Sequence, residues 1–160
     1  MRLNQITHKT NSDERKELIK EIDRMFNADI CRLGYCEYSR FTNIKTKGRL
    51  AAHHFYSCSR MSTRWDVDNM FCLADEFHTK STQFSAHGTP EKFRIWAIAY
   101  RGKDWFQRLS AKADTIKQWT NLELIELYEG FQKIESKRKQ AKEYDIKHLE
   151  KFLSNLNKKS

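Results

Sequence analysis

The amino-acid sequence predicts an α+β fold: a small ββα core with flanking helices and a helical C-terminal region. Three observations predict it. Glycine and proline are scarce, at 5 and 1 in 160 residues, which favours long helices over a turn-rich sandwich. Apolar residues recur at helical spacing near the N-terminus and again beyond Pro90. Between these regions lie short alternating segments and turns that read as strands. The length suits one domain with a helical appendage. The expected division is an N-terminal helix over 1–29, a core with its following helices over 30–115, and basic amphipathic helices over 116–160.

Ser12-Asp13-Glu14-Arg15 opens the first helix, with Ser12 as N-cap and acids in the first turn. Leu18, Ile19, Ile22, Met25 and Phe26 form its apolar face, and it is expected to end near Asn27. Residues 30–57 read as strands and turns. Ile30 to Tyr38 carries aromatics and two cysteines around Gly34, Thr46-Lys47-Gly48-Arg49 is a turn, and Leu50 to Tyr56 is a strand. A polar loop follows. Trp65-Asp66-Val67-Asp68 alternates as a half-buried strand does, and a helix from about Met70 to Ser81 completes the ββα order. Ser85 to Gly88 is a break. Thr89-Pro90-Glu91 is a helix start, with proline at the first helical position. Phe93, Trp96, Ala97 and Tyr100 share one face, Gly102 stops that helix, and Lys103 to Ala113 forms the next. Trp119-Thr120-Asn121 begins a third, striped by Leu124, Leu127, Tyr128, Phe131 and Ile134. Ser136 to Ser160 is charge-rich, but Ile146, Leu149, Phe152, Leu153 and Leu156 mark it as an amphipathic helix.

Formal net charge is +9, which suits an anionic polymer such as nucleic acid. The charge is uneven. From Ser39 to Arg64 there are six basic residues and no acid; residues 131–160 hold nine basic residues and four acids. No apolar run is long enough to span a membrane, and Met1-Arg2-Leu3-Asn4-Gln5 lacks the apolar stretch of a signal peptide. A cytoplasmic, reducing setting without disulfides is therefore expected for Cys31, Cys36, Cys58 and Cys72.

The chemistry lies within the basic stretch. His53 and His54 are adjacent, Asn69 follows His54 by 15 residues, and His78 follows Asn69 by nine. That is the layout of an HNH nuclease site on a ββα-metal core. Phosphodiester hydrolysis needs a base for the attacking water, stabilisation of charge on the phosphoryl oxygens, and neutralisation of the leaving 3′-oxygen. A divalent cation serves the last two, and a neutral imidazole serves the first. His54 is the expected general base and Asn69 the residue that fixes its ring. His78 and His53 are the expected metal ligands, with Asp66 and Asp68 as further oxygen donors. Adjacent strand residues point to opposite faces, so His53 and His54 need a bend to share one site. Arg60, Arg64 and Lys80 are candidates for holding phosphates, with Arg40, Lys45, Lys47 and Arg49 as further nucleic-acid contacts. His8, His87 and His148 are expected to be ordinary surface or core residues.

Many HNH domains also carry a closed tetrahedral zinc on two Cys-x-x-Cys pairs. Here Cys31 and Cys36 have four residues between them instead of two, and the remaining knuckle positions fall on Ser39, Ala74 and Phe77. No structural zinc is expected, and Phe77 is expected to pack in its place.

Ala52-His53-His54-Phe55-Tyr56, Arg64-Trp65-Asp66-Val67-Asp68-Asn69 and His78 resemble the NinG/Rap family of lambdoid phage recombination endonucleases. So do the segment Phe93 to Leu109, with Gly102 inside it, and Trp119 to Lys137. The resemblance implies a ββα-metal endonuclease that uses Mg²⁺ or Mn²⁺ and acts in the host cytoplasm on branched DNA such as Holliday junctions or D-loops. The family's knuckle cysteines are missing, His78 falls where some members carry asparagine, and His53 replaces a small residue. A homodimer would suit a junction substrate. Two alternatives are an HNH-derived module that binds nucleic acid or a host protein without cleaving, and a nuclease directed at RNA.

Overall fold

The computed structural model describes residues 12–157, with side chains described for residues 12–143. It is mixed α+β. In chain order the described elements are α1 (Ser12–Cys31), α2 (Glu37–Thr42), β1 (Leu50–His54), β2 (Met70–Ala74), α3 (Pro90–Arg101), α4 (Lys103–Ala113) and α5 (Asn121–Asn157). A 3₁₀ turn at Val67–Asn69 precedes β2, and a π-helical turn at Glu76–Lys80 follows it. The chain forms two compact units, one from the N-terminal residues to Ile22 with the chain from Asn121 onward, the other Asp23–Thr120. Within the first, the Arg15 guanidinium donates to Asn121 Oδ1. The second contains both strands. None of the described helices is long and apolar enough to cross a membrane.

The two strands pair antiparallel, with His53 opposite Phe71 and Leu50 opposite Ala74. β1 is half-buried along its length, whereas all five residues of β2 are buried. The run Met70-Phe71-Cys72-Leu73-Ala74 is therefore a fully buried strand. It packs into a core built from Phe77, Phe84, Phe93, Trp96, Trp105 and Leu109. The Phe71 ring meets Phe93 and Trp105 edge-on, at centroid distances of 5.3 and 5.8 Å.

A buried strand with one neighbour has a problem at its free edge. The ladder is bracketed by Phe55 N–H to Asn69 O and Asp75 N–H to Arg49 O, both 2.8 Å. Antiparallel alternation then turns the backbone groups of Met70 and Cys72 away from β1. Left unpaired, such groups cost free energy comparable to a lost hydrogen bond each. The Met70 N–H bonds Val67 O, and two side chains supply partners for the Cys72 N–H and Met70 O. Glu37 Oε2, at the start of α2, accepts the Cys72 N–H at 2.6 Å. Arg101, at the end of α3, donates to Met70 O at 2.6 Å and Asp68 O at 3.0 Å. The two pair with each other at 3.0 Å, with Glu37 only 5% exposed. The guanidinium also lies over the Phe71 ring, 4.0 Å from its centroid.

Several elements depart from expectation. α1 runs on to Cys31, and α2 occupies part of the segment read as strands and turns. Trp65–Asp68 is not a strand. Asp66 accepts the Asp68 N–H on its own carboxylate at 2.9 Å, which closes a turn, and Trp65 Nε1 donates to Asp23. The helix expected from Met70 to Ser81 is instead β2 and the π-helical turn. α5 runs unbroken from Asn121 to Asn157. His8, and the side chains of the stripe from Ile146 to Leu156, lie outside the described residues.

Glu37→Ala should cost about 2–4 kcal/mol of unfolding free energy in a denaturant titration, because it strands the partly buried Arg101 charge and the buried Cys72 N–H. Asp13→Ala, which breaks an exposed pair with Lys16, should cost less than about 1 kcal/mol.

Candidate metal centre

Three imidazoles come together in the second unit, each from a different kind of segment. β1 carries His53, the π-helical turn carries His78, and the loop before α3 carries His87. Their ring centroids are 5.2 Å apart for His53 and His78, 4.9 Å for His53 and His87, and 4.8 Å for His78 and His87. One nitrogen from each lies within 4.8 Å of the others. Nitrogens sharing one ion at about 2.1 Å sit about 3–3.5 Å apart, so the three approach a ligand set without yet being closed. His87 is exposed, which gives its ring room to swing inward. Phe93 forms the apolar wall behind His53, 4.8 Å from its ring.

The backbone fixes the third imidazole. Ala86 N–H donates to Phe77 O at 2.9 Å and His87 N–H to His78 O at 3.1 Å, so loop and turn run side by side. The buried Ser85 anchors the bend: its hydroxyl accepts the Gly88 N–H, while its own N–H donates to Thr89 Oγ1. A side chain at position 88 would put Cβ 2.6 Å from Ser85 Oγ, so glycine is required.

Burial, then the neighbouring imidazoles of His78, His87 and His54, push His53 from an ordinary 6.5 down to about 3. Burial and His87 lower His78 as well, opposed by Asp75. Both rings are therefore held neutral, the form that binds a cation.

His54 belongs to a different constellation. Its Nε2 lies 2.8 Å from Arg64 O. A carbonyl only accepts, so Nε2 carries a proton, and the tautomer this selects has its lone pair on Nδ1. Arg64 is itself pinned by Asp23, at 2.6 and 3.0 Å. This pair raises the guanidinium's pKa further and withdraws Arg64 from the expected phosphate contacts.

Asn69 does not touch the His54 ring. Fully buried, it accepts the Tyr56 N–H at 2.7 Å and donates to Tyr56 O at 3.0 Å and Thr63 O at 2.9 Å. It thus fastens the loop between the strands and sets the position of Arg64 O through the chain. The expected hydrogen bond to the base is replaced by this backbone clamp.

The remaining predicted residues divide. Arg60 donates to Ala113 O at 2.8 Å, and Lys80 lies 3.7 Å from Asp75, so each already has a protein partner. Arg40, Lys45, Lys47 and Arg49 are exposed. Asp66 pairs with Lys112 at 2.5 Å, and neither it nor Asp68 joins the imidazoles. Phe77 is buried against Tyr38, with centroids 4.8 Å apart. Burial pushes the Cys31 and Cys72 thiols up. His87, read from sequence as an ordinary residue, is the member that was missed. The available signal was its place between a Ser85 bend and the Thr89-Pro90 helix start, nine residues after His78.

The site is a three-imidazole cluster beside a fourth, separately oriented imidazole. No protein-family model, curated protein or solved structure matches the chain.

Gly88→Ala should loosen the loop and weaken cation binding, measured by calorimetry, with little change in far-UV dichroism. The metal-free protein should lose stability as pH falls from about 6.5 toward 3. There the unfolded chain binds a proton at position 53 that the folded chain refuses, so stability rises with pH across that window. His53→Phe should flatten this slope in thermal melts recorded in EDTA.

Proposed function

We propose that the chain is a metal-dependent DNA endonuclease of HNH type, hydrolysing phosphodiester bonds in branched or recombination DNA. The observation that carries the reading is the convergence of His53, His78 and His87 within 4.8 Å, next in sequence to an imidazole with a defined tautomer. A divalent cation held by the three imidazoles would neutralise charge on the scissile phosphate and on the leaving oxygen. β1 keeps its register through His54, its last residue, so for His54 to take the proton of the attacking water on Nδ1 the strand end must turn it toward the cation, while Nε2–H stays on Arg64 O. Asn69 serves as a positioning residue through the Tyr56–Thr63 backbone. Arg40, Lys45, Lys47 and Arg49 supply charge for the DNA backbone.

The donor set bears on the ion. Three imidazoles without a carboxylate suit zinc or another borderline ion better than the Mg²⁺ or Mn²⁺ read from sequence. Zn²⁺ is therefore the first ion to test and Mn²⁺ the second.

Supercoiled plasmid and a four-way junction, incubated with Zn²⁺, Mn²⁺ or Mg²⁺, should be nicked or resolved by the wild-type chain. His54→Ala should lower the rate by roughly 10²–10⁴-fold with cation affinity retained. His87→Ala should weaken cation binding by about 100-fold or more, since loss of a mere supporting hydrogen bond costs about 10–100-fold. If wild type and His54→Ala are equally inert with all three ions, the enzyme reading fails and a non-cleaving binding module replaces it. Faster cleavage of RNA than of DNA in competition would redirect the reading to RNA.

A further inference from the structure

Residues 34–47 surround an open cleft of about 560 Å³, within the size range of sites that hold a small organic group. Its walls include Tyr35, Ser39, Arg40, Asn43, Lys45 and Lys47, and no acidic side chain lines it. The Arg40 guanidinium lies over the Tyr35 ring, 4.5 Å from its centroid. The Ser39 hydroxyl is shielded from solvent and has no hydrogen-bond partner among the described residues. Phe41 and Ile44, in the same segment, are large apolar side chains that stay about half exposed, at 50% and 48%.

We propose that this cleft binds an unpaired nucleic-acid strand, with a base stacked on the Tyr35–Arg40 platform and phosphates on Lys45 and Lys47. Stacking surfaces beside a strip of positive charge are what single strands need, because every base offers a π-face and every linkage a charge. An acidic peptide would use the lysines but not the platform. A paired base would have to leave its stack to reach the ring.

The cleft is also tied to the imidazole cluster. Thr46 Oγ1 donates to Glu76 Oε2 at 3.3 Å, and Glu76 opens the π-helical turn that carries His78. Arg49 O accepts the Asp75 N–H at 2.8 Å. From Lys47, the last residue lining the cleft, to His53 the chain advances at most about 20 Å, at roughly 3.3 Å per residue. A strand seated in the cleft therefore enters the cluster's neighbourhood from one side. As a statement of substrate class, an unpaired flank next to the scissile bond, this rests on the nuclease reading. As a statement about binding it rests on the cleft alone.

Fluorescence anisotropy of the full chain in EDTA separates the two. A labelled oligothymidylate should bind more tightly than a blunt duplex of the same length. The double variant Lys45→Glu, Lys47→Glu should weaken oligothymidylate binding by roughly tenfold or more and flatten its salt dependence. Tyr35→Ala, checked for an unchanged melt, should weaken the single strand and not the duplex. An oligouridylate arm distinguishes DNA from RNA, and preferential binding of either single strand supports the proposal. Wild-type affinity in the double lysine variant, which alters only exposed side chains and so keeps the test independent of folding, would overturn it. So would equal competition by poly-glutamate, or equal loss of single strand and duplex in Tyr35→Ala. Oligothymidylate binding that depends on these residues in a chain that cleaves nothing supports the cleft and overturns only the nuclease reading.

Discussion

The free edge of β2 is the constraint around which the second unit is built. The strand is buried on both faces yet paired on one side only, so its outward backbone groups must find partners inside the protein. Glu37 and Arg101 provide them for the Cys72 N–H and Met70 O, and their placement ties α2 and α3 to the same strand. Because β2 holds β1 in register, this arrangement also sets where His53 stands, directly opposite Phe71. The polar knot and the candidate metal centre are thus two sides of one short sheet. The desolvation of Glu37 and Arg101 is offset by the hydrogen bonds each makes to backbone, not by their mutual attraction alone.

The same economy of backbone contacts runs through the site. His87 reaches His78 because two main-chain bonds lock the loop to the turn. Asn69 bridges Tyr56 and Thr63 with three bonds, all to main chain. These are short-range devices: the Asn69 clamp acts on the long connection between the strands, and the His87 bonds act on the loop that follows β2. They help two short strands, the ones found among the described residues, to hold four imidazoles in defined places.

Much of this was legible in the sequence where local signals agree. Thr89-Pro90 marked the start of α3, and Gly102, with φ at +91°, marked the junction with α4 at the expected place. Leu50 to Tyr56 read as a strand, and the strand found there runs from Leu50 to His54. The core's second strand was misplaced for a definite reason. A run of five apolar residues has no period by which to tell strand from helix, and tertiary burial decides it. Trp65–Asp68 alternated like a strand, but Asp66 bonds its own backbone and Trp65 turns to Asp23. His53 and His78 could be paired from spacing, whereas His87 could not. Its main-chain partner is a carbonyl of the π-helical turn, His78 O, and no residue type reports a π-helical turn in advance.

The hydrogen bond from His54 to Arg64 O has a consequence for how this protein can vary. The acceptor is a peptide oxygen, present whatever side chain follows it. No substitution at position 64 deletes it, and only a change in the path of the loop can move it. The orientation of the candidate base is therefore inherited from chain geometry, and it tolerates drift in neighbouring side chains so long as Asn69 and Asp23 keep the loop in place. In such a site, sequence divergence can run far ahead of functional divergence.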